Sequence, residues 1–121
     1  MILVDTSIWI DHFRTGETRL VQLLEAGEIL THPFVIGELA LGNFRNRGTI
    51  LGALADLPRA IVANDAEVLG LIEAASLHGR GIGFVDAHLI ASVRLTPDTR
   101  LWTRDRRLGV VAAELGLDIS P

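Results

Sequence analysis

Short apolar runs alternate with stretches of helical period from one end of this chain to the other, and that alternation restricts its fold more than any other feature. Ile2-Leu3-Val4 is too short for a helix and stops at Asp5, as a buried strand does. Residues 6–13 then carry Ile8, Trp9 and Phe13 at helical spacing, and residues 17–26 carry Leu20, Val21, Leu23 and Leu24 until Gly27 ends the pattern. Residues 28–31 predict a second strand. Pro33, suited to a first helical position, opens an apolar helix over 33–44, and another follows over 49–57. Ile61-Val62-Ala63 predicts a third strand, and Asn64 with Glu67 forms a capping-box signature for a helix running to about Leu77. After a glycine-rich loop at 78–83, the pattern predicts a helix over 86–95, a strand over 101–103, a helix over 105–115 and an edge strand over 117–119. Strands separated by helices imply a mostly parallel sheet covered on both faces, an α/β fold. In open sheets of this kind ligands bind at the carboxyl ends of the strands.

The chain has 121 residues, enough for one core that buries roughly two-thirds of the unfolded surface, and no repeat or linker divides it. A single domain over 1–121 is expected. No apolar run approaches the ~18 residues that span a bilayer, and the apolar start is interrupted by Asp5 and Asp11, so neither a membrane segment nor a signal peptide fits. Cysteine is absent, which removes disulfides, thiolate metal sites and cysteine nucleophiles and suits a reducing compartment; the expected location is cytoplasmic. All 11 basic residues are Arg. Without Lys the chain cannot build a Walker-type phosphate loop, a kinase site or a Schiff-base enzyme.

Three aspartates fall where a sheet of this kind places its site. Asp5 closes the first strand, Asp105 follows the strand around Trp102, and Asp86 opens a helix after the glycine loop. Each alone is explained as a helix N-cap. Glu38 is not, because it lies inside a helix, and its neighbours Phe34, Val35, Leu41 and Gly42 place it on an apolar stripe expected to face the core. Leu89, Ile90 and Val93 continue the same face below Asp86. A buried carboxylate costs several kcal/mol, on the order of a full unpaired ion, unless it is paired, protonated or bound to a cation. No Arg lies on either stripe, so several carboxylates without an internal cation point to Mg²⁺ or Mn²⁺, hard ions with oxygen ligands. His12, His32, His78 and His88 show no zinc-type spacing and read as surface or packing residues. Thr6 and Ser7 beside Asp5, and Thr103 beside Asp105, are expected to support the acids, although local capping explains them equally well.

The ordered set of Asp5-Thr6-Ser7 after an N-terminal strand, Glu38 in the third helix, Asp86-Ala87-His88-Leu89-Ile90-Ala91 and Thr103-Arg104-Asp105 resembles the PIN-domain family, and more narrowly its VapC-type toxin ribonucleases. The resemblance runs over the whole chain and includes the glycine-rich approach from Gly79 to Val85. It implies a three-layer α/β/α sandwich, an endoribonuclease dependent on Mg²⁺ or Mn²⁺, a cognate VapB-type antitoxin and a homodimer. On this pattern Asp5, Asp86 and Asp105 hold the metal, and Glu38 completes the site and orients the attacking water.

An RNA substrate must be reconciled with a formal charge of −4 and a pI near 5.5. Setting aside the four proposed ligands leaves 11 arginines facing 11 other acids, so the acidity is concentrated in the site. Arg45 and Arg47 beyond the Glu38 helix, Arg80 in the glycine loop, and Arg104, Arg106 and Arg107 around Asp105 are candidates for phosphate contact, a task that Arg performs in bidentate fashion. Two alternatives stand beside the nuclease. A haloacid-dehalogenase-like phosphatase also begins with Asp after its first strand, but wants a second Asp where Ser7 stands. A non-catalytic module would use the glycine loop or a groove only to hold a partner.

Overall fold

In the computed structural model, which describes residues 1–119, the apolar run at the start forms β1 (Ile2–Val4) in the middle of a parallel sheet. On one side lies β2 (Ile29–Leu30), with Ile2 opposite Ile29 and Leu3 opposite Leu30. On the other lies β3 (Arg100–Trp102), with Ile2, Leu3 and Val4 opposite Arg100, Leu101 and Trp102. Consecutive strand residues point to opposite faces, and Leu3 and Val4 are both 0% exposed. Both faces of the sheet are therefore covered, which gives the expected α/β/α layering.

The helices are α1 (Thr6–Thr15), α2 (Thr18–Glu25), α3 (Pro33–Ala40), α4 (Arg47–Ala55), α5 (Asp65–Ala74), α6 (Phe84–Leu95) and α7 (Arg106–Glu114). Pro33 occupies the start of α3, and Asn64 and Glu67 exchange both capping-box bonds at α5. α3 is shorter than its apolar pattern predicts, because Arg47 folds back to donate to the Ala40 and Gly42 carbonyls and closes the helix end. Asn46, in the left-handed conformation at φ 56°, then redirects the chain into α4. α5 packs on α6, and α3 packs on α4 and α1.

Two predicted strands are corrected. Residues 61–63 form no strand, and Ile61 and Val62 are 50% and 45% exposed. The chain touches the sheet earlier, in a single parallel bridge between Thr31 and Arg59, and then leaves it. Its backbone donors are satisfied by side chains of α6 and its C-cap instead: Ile61 N–H donates to Thr96 Oγ1 at 2.9 Å and Ala63 N–H to Ser92 Oγ at 3.2 Å. Residues 117–119 are reduced to one bridge, Leu101 with Asp118, braced by Arg100 Nη1 donating to the carbonyls of Gly116 and Asp118.

This topology fixes the place of the site. From β1 the chain crosses to β2 on one side and finally returns to β3 on the other, so the strand order reverses at β1. A crevice opens beyond the carboxyl end of a strand at such a point, and Asp5 is the residue that follows β1.

Candidate metal centre

Asp5 stands one residue before α1, in the N-cap position, yet its side chain makes no capping bond. It is 6% exposed. Its Oδ2 accepts instead from Ser7 Oγ at 2.8 Å and from Thr103 Oγ1 at 2.7 Å. Each hydroxyl is itself fixed by a backbone donor: Arg104 N–H donates to Ser7 Oγ and Asp105 N–H to Thr103 Oγ1, both at 3.0 Å. With both protons directed at Asp5, the 3.4 Å between the two hydroxyls is a packing contact. The start of α1 is thereby laced to the turn after β3. Capping accounts for Asp105, whose Oδ1 accepts from Leu108 N–H at 2.9 Å at the head of α7, and it does not account for Asp5.

Asp86 does not open its helix. α6 begins two residues earlier, and Asp86 lies in its first turn, where Oδ2 accepts from Gly83 N–H at 3.1 Å. The carboxyl is half-buried, and its pKa is raised above the ordinary value. Burial is the largest cause, opposed by the Gly83 hydrogen bond; the negative charges of Asp5, Asp105 and Glu38 raise it further. No cation figures among the charges that act on it.

Glu38 is corrected more sharply. It is exposed, and α3 buries Val35 and Leu39 instead, with Phe34 36% and Leu41 91% exposed on Glu38's side. A helix that is apolar nearly all round has no unique inward face, so periodicity alone could not orient it. What holds Glu38 is Thr6, whose hydroxyl donates to Oε1 at 3.1 Å. Beside it a cavity of about 400 Å³ is lined by Glu38, Arg14, Arg45, Phe13 and Phe44. A neighbouring, mostly apolar cavity of about 420 Å³, lined by Trp9, Phe13, Leu24 and Ile50, contains none of the four acids.

Among the described residues no three His, Asp or Glu side chains stand close enough to grip an ion as they are placed. The donor chemistry nevertheless fits a hard divalent cation. Three acids raise the pKa of a fourth, and an ion between them would reverse the sign of that interaction.

The predicted arginines divide. Arg104 is committed to Asp11, at 2.7 Å, and to Glu17. Arg80 pairs with Glu114 at 2.9 Å. Arg45 and Arg106 have no ion pair among the described residues. Of the histidines, His32 and His88 are buried and His78 is exposed. His32 links the N-cap of α3 to α6: Nδ1 accepts from Phe34 N–H at 3.1 Å, so Nε2 carries the proton and donates to Ser92 Oγ at 3.0 Å. Sequence reasoning also missed the partners of Arg104, which lie some ninety positions away and carry no local signal.

A PIN-domain model matches residues 2–114 of the chain. The chain belongs to the PIN-domain family. Two curated relatives, both named Ribonuclease VapC32, from Mycobacterium tuberculosis strains CDC 1551 / Oshkosh and ATCC 25618 / H37Rv, are each 49% identical over 120 residues. Each alignment covers 99% of this chain and 97% of the relative. The PIN-domain match takes in β1, Glu38, α6 and the Thr103–Asp105 turn, so the matched segment holds Asp5, Glu38, Asp86 and Asp105. No helix among the described residues of this PIN domain is long and apolar enough to cross a membrane.

Proposed function

We propose that this chain is an Mg²⁺- or Mn²⁺-dependent endoribonuclease and the toxin of a VapBC-type pair, cutting RNA at Asp5, Glu38, Asp86 and Asp105. The observation that carries the reading is the Asp5 carboxylate, which forgoes its helix cap to be held by two hydroxyls and, with Asp105 and Glu38, raises the pKa of Asp86. The 49% identity to relatives named ribonucleases supports the same reaction class here.

Asp5, Asp86 and Asp105 would hold the ion, and Ser7 and Thr103 would keep Asp5 in one rotamer. A bound Mg²⁺ or Mn²⁺ supplies Lewis-acid stabilisation of phosphate charge and a more acidic water. Glu38 orients the attacking water: Thr6 occupies Oε1, which leaves Oε2 for that task. The water oxygen bonds to phosphorus as one P–O bond of the RNA opens; the attacking water gives up a proton through Glu38 to solvent, and the departing ribose oxygen takes one from a solvent water. Arg45 and Arg106 are weak phosphate contacts in this reading, and Arg80 and Arg104 would serve only by leaving their present partners. A VapB-type antitoxin is the inhibiting partner, and a homodimer is the assembly.

The test is cleavage of total RNA by the purified protein with Mg²⁺, with Mn²⁺ and with excess chelator. Discrete fragments that require the metal are expected. Cleavage that persists in chelator would overturn the metal requirement, and release of phosphate from a chromogenic ester without RNA cleavage would favour a phosphatase.

A further inference from the structure

The glycine-rich loop before α6 turns through left-handed conformations at Gly79, φ 72°, and Gly81, φ 79°. The two positions differ in what surrounds them. A Cβ at Gly79 would meet nothing within 4 Å, whereas at Gly81 it would stand 2.6 Å from Arg107 Nη1, 2.9 Å from Cδ and 3.1 Å from Cζ. Arg107 therefore lies against the bare backbone of Gly81, in space that any side chain there would fill. Glycine suits Gly81 for its φ, and any side chain there would in addition displace Arg107 from this seat.

The seat joins the segments that carry two of the acids. Gly81 is two residues before Gly83, whose N–H holds Asp86, and Arg107 is two residues after Asp105. Arg80 is occupied by Glu114, Arg104 by Asp11 and Glu17, and Arg47 by the Ala40 and Gly42 carbonyls, whereas Arg45 and Arg106 have no ion pair among the described residues and rest on no such glycine. Arg107 has no acidic partner and no hydrogen-bond acceptor among the described residues, and it is exposed. A side chain lying against the loop with its donors unspent is available to an anion from outside. Its planar fork suits a phosphate diester, and a cluster of acids needs such a cation nearby if it is to receive a polyanion.

We propose that Arg107, seated on Gly81, is a phosphate-binding residue that positions the RNA backbone beside the carboxylate cluster. This rests on the nuclease reading and assigns that site a positioning residue, with Gly81 acting through it.

The test is binding of a labelled, unstructured RNA oligonucleotide to the Asp5→Asn protein in Mg²⁺ over a range of salt, with cleavage measured in parallel in the wild-type background. Arg107→Ala should weaken binding about tenfold and lower the salt slope by about 0.7, the share of one phosphate contact on a single strand. Arg107→Lys should recover part of the slope. Gly81→Ala should reproduce Arg107→Ala and add little to it in the double variant. Gly79→Ala, which carries the same left-handed strain without the collision, should leave affinity and slope unchanged. Unchanged affinity and slope in Arg107→Ala would overturn the proposal, as would equal effects of Gly81→Ala and Gly79→Ala. If the wild type cleaves RNA while Arg107→Ala binds normally, only this inference fails. If the wild type neither binds nor cleaves RNA, the nuclease reading fails with it. The Arg107 variants decide the matter even if Gly81→Ala does not fold.

Discussion

Thr103 and Asp5 are 98 positions apart, and the hydroxyl of one donates to the carboxylate of the other at 2.7 Å. Thr103→Val keeps the shape and removes that donor. It also removes the acceptor of Asp105 N–H, so its cost in stability should be about 2 kcal/mol, the net worth of two hydrogen bonds. RNA cleavage should fall far more, by about 10–100-fold, because partners that orient a ligating carboxylate have effects of that size. Paired urea denaturation and initial cleavage rates would show the difference; a loss of activity no larger than the loss of stability would make Thr103 merely structural.

Asp86 should be a site where function is held against stability. Its raised pKa means that the folded state holds the proton more tightly than the unfolded chain, so its contribution is fully present below the unfolded value near 3.8. That stability is lost as pH rises through the folded pKa and remains absent at neutrality. Asp86→Asn keeps an acceptor for Gly83 N–H and removes the charge. We expect it to melt higher than the wild type at neutral pH in the absence of metal and to lose cleavage by at least about 100-fold, a loss in keeping with the weight metal ions carry in such catalysis. A lower melting temperature would contradict the account of its surroundings.

His32 has the opposite sign. Burial first, then His88 and Arg59, lower its pKa from 6.5 to about 4. A histidine kept neutral in the fold contributes stability above the unfolded pKa and loses it as pH falls from about 6.5 to about 4, with a full effect on the order of 3 kcal/mol. Protonation at Nδ1 would also break the cap at Phe34, at the head of the helix that carries Glu38. The urea midpoint of the wild type should drop through that interval, and His32→Asn should remove most of the slope. A midpoint that stays flat down to pH 4 would contradict the buried, neutral assignment.

Asn64 offers a control whose capping bonds involve none of the four acids. Both bonds of its capping box are formed, at 2.8 and 3.0 Å. Asn64→Ala should cost about 1 kcal/mol of stability and leave the specific cleavage rate unchanged, measured below the melting transition.

How far the sequence reveals this arrangement depends on how local each cause is. β1, the Asn64 box and the end of the first strand at Asp5 are visible because a few adjacent residues decide them. The orientation of Glu38 is not, since α3 offers apolar residues on every side and tertiary packing selects Val35 and Leu39. Nor is the fate of residues 61–63, whose β-branched pattern is overruled by Ser92 and Thr96, on a helix and its C-cap about thirty positions later. The twin support of Asp5 was half visible: Ser7 is its near neighbour, whereas Thr103 is brought to it only by the pairing of β1 with β3. Arg107 was legible as a candidate for phosphate contact beside Asp105, but its seat on Gly81 was not.

The central claim is that these carboxylates form a metal centre, and the most direct measurement is a titration of Mn²⁺ followed by the paramagnetic signal of the free ion, in wild type and in Asp5→Asn. The account predicts saturable binding by the wild type that weakens at least tenfold in Asp5→Asn, with Mg²⁺ displacing the bound Mn²⁺. Equal Mn²⁺ affinity in both proteins, or none in the wild type, would contradict it.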